Sequence, residues 1–419
     1  MKFCIITSFF ELHNNEALHL NRVSDALLRR GHEVHVICSG DDVGPTEGQP
    51  TWGNSFAEGL TIHRLNSGIG RWALLFTRQT GRTGNYRNEL LSILKQEQFD
   101  VIHLHDISSL GGVELIERIH EQTSAVQIMS VRDHWLLCPL SRLWQFNSRP
   151  CEMPDCTRCT LSAGKLPQLW RTGTRLQESL NLLDALVFPS DHIHALHHAR
   201  GIDLKQATVL PSFIPENWAG NSIAELKIDE PYFAITGELI KAHGVQTVIS
   251  LMKHLPTANL YIEGTGAYAS ELHAQASDLN NVVFLGALTT VQRAHLIRNA
   301  TALITPTLQQ EPIGESVLEA FSQATPALVR NLGTLPDLIA RSGGGMLFDN
   351  SAELLDKMQL LLRKSQIAKR MGLRGQQAWR NYWSESQYIA LYIDLVRSIQ
   401  LKRDLQAESS CLTTESSLD

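Results

Sequence analysis

Residues 302–321 read Ala-Leu-Ile-Thr-Pro-Thr-Leu-Gln-Gln-Glu-Pro-Ile-Gly-Glu-Ser-Val-Leu-Glu-Ala-Phe. Ala302, Leu303 and Ile304 form a short apolar run, a buried strand that stops at Thr305-Pro306-Thr307. Pro312 and Gly314 turn the chain, after which Val317, Leu318, Ala320 and Phe321 recur at helical spacing. Strand, turn and helix in that order are the unit of a parallel α/β sheet. The first amide N–H groups of such a helix lack partners, and with the positive dipole end they offer a phosphate a site. Glu311 lies in the loop before the helix and Glu319 lies within it. Carboxylates repel a phosphate, so beside such a site they suit hydroxyl donors: a sugar and a ribose on either side of a diphosphate.

The same alternation extends outward in both directions. The second half carries strand-like runs at 232–236, 259–263, 282–286, 302–305 and 327–329, separated by helical patterns at 245–254, 270–279, 291–299 and 316–324. The first half carries runs at 3–10, 33–38, 101–104, 126–131 and 185–189. Between the first two, Ala17, Leu18, Leu20, Val23, Ala26 and Leu27 mark a helix that stops at Arg29-Arg30-Gly31. Residues 211–230 are proline-bearing and weakly periodic, which marks a linker. The expected fold class is therefore α/β, with two Rossmann-like doubly wound domains, at 1–210 and 231–384, facing each other across a cleft. Helical segments follow near 351–364, 367–382 and 385–401, and the polar, Ser/Thr-rich stretch 406–419 reads as a disordered tail.

Size and composition agree with two domains. The chain has 419 residues, 43% hydrophobic and 19% charged, which fits two cores of about 200 residues each. With 37 Lys and Arg against 43 Asp and Glu, the net charge of −6 gives no global footprint for nucleic acid. The apolar run after Met1-Lys2 is too short for a signal sequence and lacks a cleavage site. No run approaches the roughly 18 apolar residues that span a bilayer. Seven cysteines without an export signal read as thiols or metal ligands. A cytoplasmic location is expected.

The block from Glu311 to Ala320 resembles the E-x7-E signature of the family 4 retaining glycosyltransferases, and the resemblance spans about residues 1–400 in motif order. It implies the GT-B fold, whose last helix, here 385–402, crosses back to the first domain. It also implies that Glu319 receives ribose hydroxyls, that Glu311 receives donor-sugar hydroxyls, and that amides around Gly314, Glu315 and Ser316 meet the sugar and phosphates. The segment 233–244, with Gly237 and Gly244, resembles the family's first strand and Gly-rich turn. The family places an Arg and a Lys there to clamp the diphosphate; this chain has Glu238 and His243. Lys241 in the same turn and Arg330 at the end of a later strand are candidate replacements, the simpler readings being a surface lysine and a structural arginine. His243 can still donate a hydrogen bond. Glu263-Gly264-Thr265-Gly266 lacks the third glycine of a dinucleotide fingerprint and reads as a tight turn.

In the first half, two strand ends resemble cleft-facing family segments. One is 103–106, with His105. The other is 130–139, where Arg132 takes the place of the family's usual His and is followed by Asp133, His134, Trp135 and Cys138-Pro139. Arg132 and Asp133 join Glu311 as catalytic candidates, with His105 and His134 on the acceptor side. An arginine aimed at the cleft suits an anionic leaving group or acceptor; the alternative is an ion pair with Asp133 or Asp106. The family's Gly-rich loop after the first strand is absent, and residues 10–15 stand there instead. Residues 70–87 hold four arginines with Trp72, Phe76 and Tyr86 and no acidic residue. They suit an anionic membrane or a charged acceptor, the simpler reading being a solvated loop. Cys138, Cys151, Cys156 and Cys159 have spacings that suit one structural zinc, with spectator thiols or a redox-labile pair as the alternative.

The expected function is retaining transfer of a sugar from a nucleoside-diphosphate sugar to a hydroxyl-bearing glycan, lipid-linked or small-molecule acceptor, in surface polysaccharide or glycoconjugate assembly. No cofactor is expected for catalysis, and peripheral contact with the inner face of the membrane is included. The alternatives are a nucleotide-sugar epimerase or sugar-phosphate synthase on the same fold, or a non-catalytic binding protein.

Overall fold

Two all-parallel sheets carry the chain. The structure, a computed structural model, describes residues 1–10, 15–41, 58–202, 206–220, 226, 228–229 and 231–415. The first sheet contains β1 (Lys2–Ile6), β2 (Glu33–Ser39), β3 (Thr61–Leu65), β4 (Val101–Leu104) and β5 (Val126–Ser130). A small hairpin of β6 (Trp144–Gln145) and β7 (Arg149–Pro150) interrupts it before β8 (Ala185–Phe188) and β9 (Ala207–Val209) complete it. The second sheet contains β10 (Tyr232–Thr236), β11 (Asn259–Glu263), β12 (Val282–Gly286), β13 (Ala302–Thr305), β14 (Ala327–Arg330) and β15 (Gly345–Phe348). Strand orders are β3-β2-β1-β4-β5-β8-β9 and β12-β11-β10-β13-β14-β15. In each, the order reverses beside the first strand, between β1 and β4 and between β10 and β13. Ligands bind doubly wound sheets at that switch point, outside the carboxyl ends of the strands.

The inner strands are buried along their whole length, as in β4, β5 and β8. Sheets covered by helices on both faces demand such continuous apolar runs. In the two parallel sheets three strands escaped the sequence pattern, β3, β9 and β15, and all three are sheet edges. An edge strand needs less apolar material, and Thr61-Ile62-His63-Arg64-Leu65 is accordingly half polar and partly exposed. Residues 70–87 are not a loop as the simpler reading had it, because helix Arg71–Thr80 occupies most of them.

The two sheets are tied together twice. Ile214, in the linker, donates its N–H to the carbonyl of Trp383 and accepts from Trp379 Nε1, each at 3.0 Å. Trp218 Nε1 donates to Ser322 Oγ at 2.7 Å. The remainder of the linker beyond residue 220 lies largely outside the described residues. After Trp383 the helix Glu385–Glu415 lies on the first sheet. Its Tyr388, Ile389, Tyr392 and Val396 join the core that holds Phe3, Val34 and Val126, and Glu385 pairs with Arg29 and Arg30. This helix continues to Glu415, through most of the stretch expected to be disordered, and only 416–419 of that stretch lie outside the described residues. The apolar pattern fades at its end, but the backbone ladder continues without it. Among the described residues no helix is long and apolar enough to cross a membrane.

Candidate active site

The carboxyl ends of β10 and β13 build one wall of the cleft. The 3-10 turn Lys241–His243 follows β10, and Leu308 N–H donates to the Ala242 carbonyl at 2.7 Å, joining this turn to the loop after β13. Gly244 makes the join possible: its φ is +75°, and a Cβ there would stand 2.1 Å from the Pro306 carbonyl oxygen. Gly314 caps helix Glu315–Ser322 at φ +74°, where a Cβ would come within 2.7 Å of Leu338. Val317, Leu318, Ala320 and Phe321 anchor that helix in the core. Glu311 is thereby fixed before the helix, with Thr334 N–H on its carbonyl at 3.0 Å. Burial raises the Glu311 carboxyl above the ordinary range, and the nearby His243 opposes the rise. Glu319 is 5% exposed. Burial raises it too, against Arg293 and Arg22, each 4.0 Å from the same oxygen.

The first domain supplies the opposite wall. Arg132, beyond β5, donates through Nε to Glu16 at 2.7 Å, through Nη1 to Ser212 at 3.2 Å, and through Nη2 to Glu315 at 2.7 Å. Its partners are thus Glu16 and Glu315, not the Asp133 or Asp106 considered from sequence. Glu16 also meets His105 Nδ1 at 2.9 Å. Burial alone would raise Glu16, but Arg132 and His105 outweigh it and hold the carboxyl at about 2. Asp133 accepts from Trp135 N–H at 2.8 Å. Burial, then the Asp106 carboxylate, push Asp133 up to about 7. His134 approaches across the cleft, with Nε2 3.1 Å from the Gln310 carbonyl, and His192 reaches the Gln310 side chain at 3.0 Å.

Of the two candidate replacement cations, Lys241 lies on the Gly-rich turn and Arg330 stands away from it. Glu238 is exposed beyond Gly237, and its carbonyl accepts from His243 Nδ1 at 2.6 Å. Lys241 is exposed on the turn. Arg330 donates to the Asp349 carbonyl at 2.9 Å and lies over Phe348. The arginines around the carboxylates are instead Arg132, Arg22 and Arg293, the last also pairing with Glu263 at 2.9 Å. Sequence reading missed Glu16, Arg22, Arg293 and His192. Glu16 and Arg22 lie on helix Asn15–Leu28, whose apolar positions were read while its polar face was not.

Cys138, Cys151, Cys156 and Cys159 line one small pocket with Trp144 and Gln145 between them, and none is in a disulfide. Phe146 N–H donates to Cys159 Sγ at 3.4 Å. Ser141, Leu143, Phe146 and Asn147 all hold left-handed φ, so the loop is tightly wound without glycine. Arg171, sandwiched between Trp135 and Trp170, stands beside the thiols, and burial lowers it to about 10. No three of the four sulfurs lie within 4.8 Å of one another, so a tetrahedral metal, with sulfurs about 3.8 Å apart, would require the loop to tighten. Among the described residues, three ligand atoms do lie within 4.8 Å of one another at His35 on β2, His63 on β3 and Glu97 at the end of helix Arg87–Glu97. Lys2 already neutralises its carboxylate at 2.8 Å.

Comparison with known proteins agrees with this fold. Residues 17–218 match the family described as Glycosyltransferase Family 4, and residues 221–378 match Glycosyl transferases group 1. An uncharacterized glycosyltransferase of Methanocaldococcus jannaschii is 24% identical over 341 residues, 79% of this chain and 80% of that protein. Sucrose-phosphate synthase of Thermosynechococcus elongatus superposes with a TM-score of 0.73 at 15% identity, covering 97% of this chain and 99% of the other. Anabaena HepE, solved in complex with UDP, superposes at 0.64 with 13% identity, covering 98% and 100%. Two family matches lie end to end over two doubly wound sheets: the chain belongs to the glycosyltransferases of GT-B fold.

Proposed function

We propose that the protein transfers a sugar from a nucleoside-diphosphate sugar to a hydroxyl acceptor with retention, in surface polysaccharide or glycoconjugate assembly. The observation that carries the reading is the pairing of Glu311 and Glu319 around the start of helix Glu315–Ser322, at the switch point of the second sheet. Glu319 would take the ribose hydroxyls. Its ion pairs with Arg22 and Arg293, at 4.0 Å, are too long for hydrogen bonds, so its oxygens keep capacity for donors. Glu311 would take donor-sugar hydroxyls. The diphosphate would lie at the helix start near Gly237, Gly314, Glu315 and Ser316, with His243 beside it.

Part of the charge for the diphosphate would come from across the cleft. Arg132 presents one edge to Glu16 and another to Glu315. A phosphate oxygen would take the place of the Glu315 carboxylate on that second edge, with Arg293, and with Lys241 or Arg330 from the rim. In the reaction the bond from the anomeric carbon to the diphosphate oxygen breaks as the acceptor oxygen bonds on the same face. The acceptor proton passes to the departing diphosphate. Positioning and charge stabilisation would supply most of the rate, without a protein nucleophile. His105, His134 and Asp133 line the side from which a glycan, lipid-linked or small-molecule acceptor would enter, with the enzyme in the cytoplasm or on the inner face of the membrane. The four cysteines would hold a structural zinc, closed to catalysis because four thiolates leave no position for water.

The test is a panel of UDP-, GDP- and ADP-sugars with mass analysis of products and NMR assignment of the anomeric configuration. Transfer with retained configuration is expected. An inverted product would overturn retention, and interconversion of the donor sugar without transfer would favour an epimerase.

A further inference from the structure

One face of the first domain carries large apolar side chains that the cleft does not use. On helix Arg71–Thr80, Ala73 and Leu74 are buried, while Trp72, Leu75 and Phe76 are exposed, Trp72 by 73%. Beside it, Leu166 and Leu169 are exposed by 68% and 72%. The two stretches form one surface. The Gln79 side chain bonds the Pro167 carbonyl, and Trp170 Nε1 donates to the Arg78 carbonyl at 3.2 Å. Single exposed apolar residues are ordinary on a protein surface, but five large ones gathered on two packed segments mark an interaction site.

Along these two stretches of chain the charge has one sign. No acidic residue occurs between Glu58 and Glu89, or between Asp155 and Glu178, and together these stretches carry nine Lys and Arg. Arg71, Arg82 and Lys165 are exposed at the rim of the apolar patch. An apolar helix face with Trp and Phe, edged by cations, fits the boundary between headgroups and acyl chains of an anionic bilayer.

Its position relates it to the cleft. Arg78 Nε donates to Ser109 Oγ at 2.7 Å, Thr77 Oγ1 donates to the Ser109 carbonyl at 2.8 Å, and Arg78 lies over Phe9. Ser109 N–H in turn reaches Ser8 Oγ at 2.9 Å. The helix therefore covers the loops at the carboxyl ends of β1 and β4, next to Asp106 and His105. We propose that this face, helix Arg71–Thr80 with residues 163–170, rests on an anionic lipid surface and holds the acceptor side of the cleft against the bilayer. The consequence, that a lipid-linked hydroxyl would be presented to the cleft, rests on the glycosyltransfer reading; the docking does not.

The experiment is co-sedimentation of the full chain with phosphatidylcholine vesicles, with and without phosphatidylglycerol, alongside calorimetric titration with nucleotides. Wild type should sediment with the anionic vesicles and be released by salt. The exposed triple variant Trp72→Ser/Leu75→Ser/Phe76→Ser should lose about tenfold in partitioning, and Arg71→Glu/Arg82→Glu should lose a similar factor. Both should keep the wild-type circular dichroism melt and nucleotide binding. A wild type that stays in the supernatant, or variants that both sediment like wild type, would overturn the proposal. Equal sedimentation with neutral vesicles would overturn its anionic character. A concentration-dependent dimer abolished in the triple variant, without vesicle binding, would assign the face to a second copy instead. Vesicle binding without nucleotide binding would sink the donor-site reading and leave the docking intact.

Discussion

The two sheets share one strand order yet build their halves of the cleft differently. In the second domain the key groups come from one continuous stretch, where β13, the Pro312–Gly314 turn and helix Glu315–Ser322 place Glu311 and Glu319 by backbone geometry. In the first domain they are assembled from distant places: Glu16 from the first helix, His105 from beyond β4, Arg132 from beyond β5. A continuous motif carries its geometry in its spacing. An assembled ion network exists only after the sheet has formed. The cations show the difference most clearly, because the turn after β10 lacks the family's Arg and Lys while arginines of the first domain, Arg22 and Arg132, reach Glu319 and Glu315.

The largest effect expected from breaking this arrangement is at Arg132. Arg132→Ala leaves the partly buried Glu16 and Glu315 without the guanidinium that bridges them, and should cost on the order of 3 kcal/mol in urea unfolding. Arg132→Lys restores charge but not the fork, and should recover only part of the loss. Loss below about 1 kcal/mol would mean the network is a weak surface pair.

The continuous motif should respond in binding rather than folding. Glu319→Ala should weaken nucleotide affinity by about 1–3 kcal/mol, whereas Glu311→Ala should lower turnover and leave free-nucleotide affinity nearly unchanged. Equal losses of affinity in titrations of both variants would contradict the separate roles.

Acid titration should separate the groups of the first wall by sign. The folded Glu16 carboxyl lies near 2, below its usual value, so its contribution to stability is present above about pH 4.5 and lost as pH falls toward 2. Asp133, near 7, lies above its usual value, so its contribution is present below about pH 4 and lost as pH rises through 7. Glu16→Gln should flatten the acid limb of a stability–pH curve, and Asp133→Asn should remove a decline between about pH 4 and 7. Unchanged curves in both would sink the charge assignments.

The smallest effect is expected at the cysteine loop, at the rim of the first wall. Elemental analysis of untagged protein should find about one zinc per chain, and Cys156→Ser/Cys159→Ser should release it and open the loop to protease. Metal-free protein with an intact loop would rule out the site.

What was legible in the sequence follows the same division. Strands 232–236, 259–263 and 302–305 were read to the residue, because interior parallel strands must be apolar throughout, and the edge strand 282–286 was read from its Val-Val-Phe-Leu run. Edge strands β3, β9 and β15 were missed because partial exposure relaxes that demand. Helix Arg71–Thr80 was missed because Trp72, Leu75 and Phe76 face outward and disguise its buried stripe. The disorder expected from Gln406 rested on composition, and there the helix begun at Glu385 carries on regardless. Glu16, Arg22 and Arg293 are unremarkable in a one-dimensional pattern; only packing brings them to Arg132, Glu319 and Glu263.

The central claim is that this cleft is a nucleotide-sugar donor site whose diphosphate charge is met by Arg132 from across the cleft and by Arg293 from beside Glu319, rather than from the Gly-rich turn. Calorimetric titration of UDP, GDP and ADP, each beside its nucleoside, into wild type and Arg293→Ala tests it most directly. One nucleotide should bind far better than its nucleoside, and Arg293→Ala should erode that difference while sparing the nucleoside. Absence of binding by all three nucleotides would contradict the account.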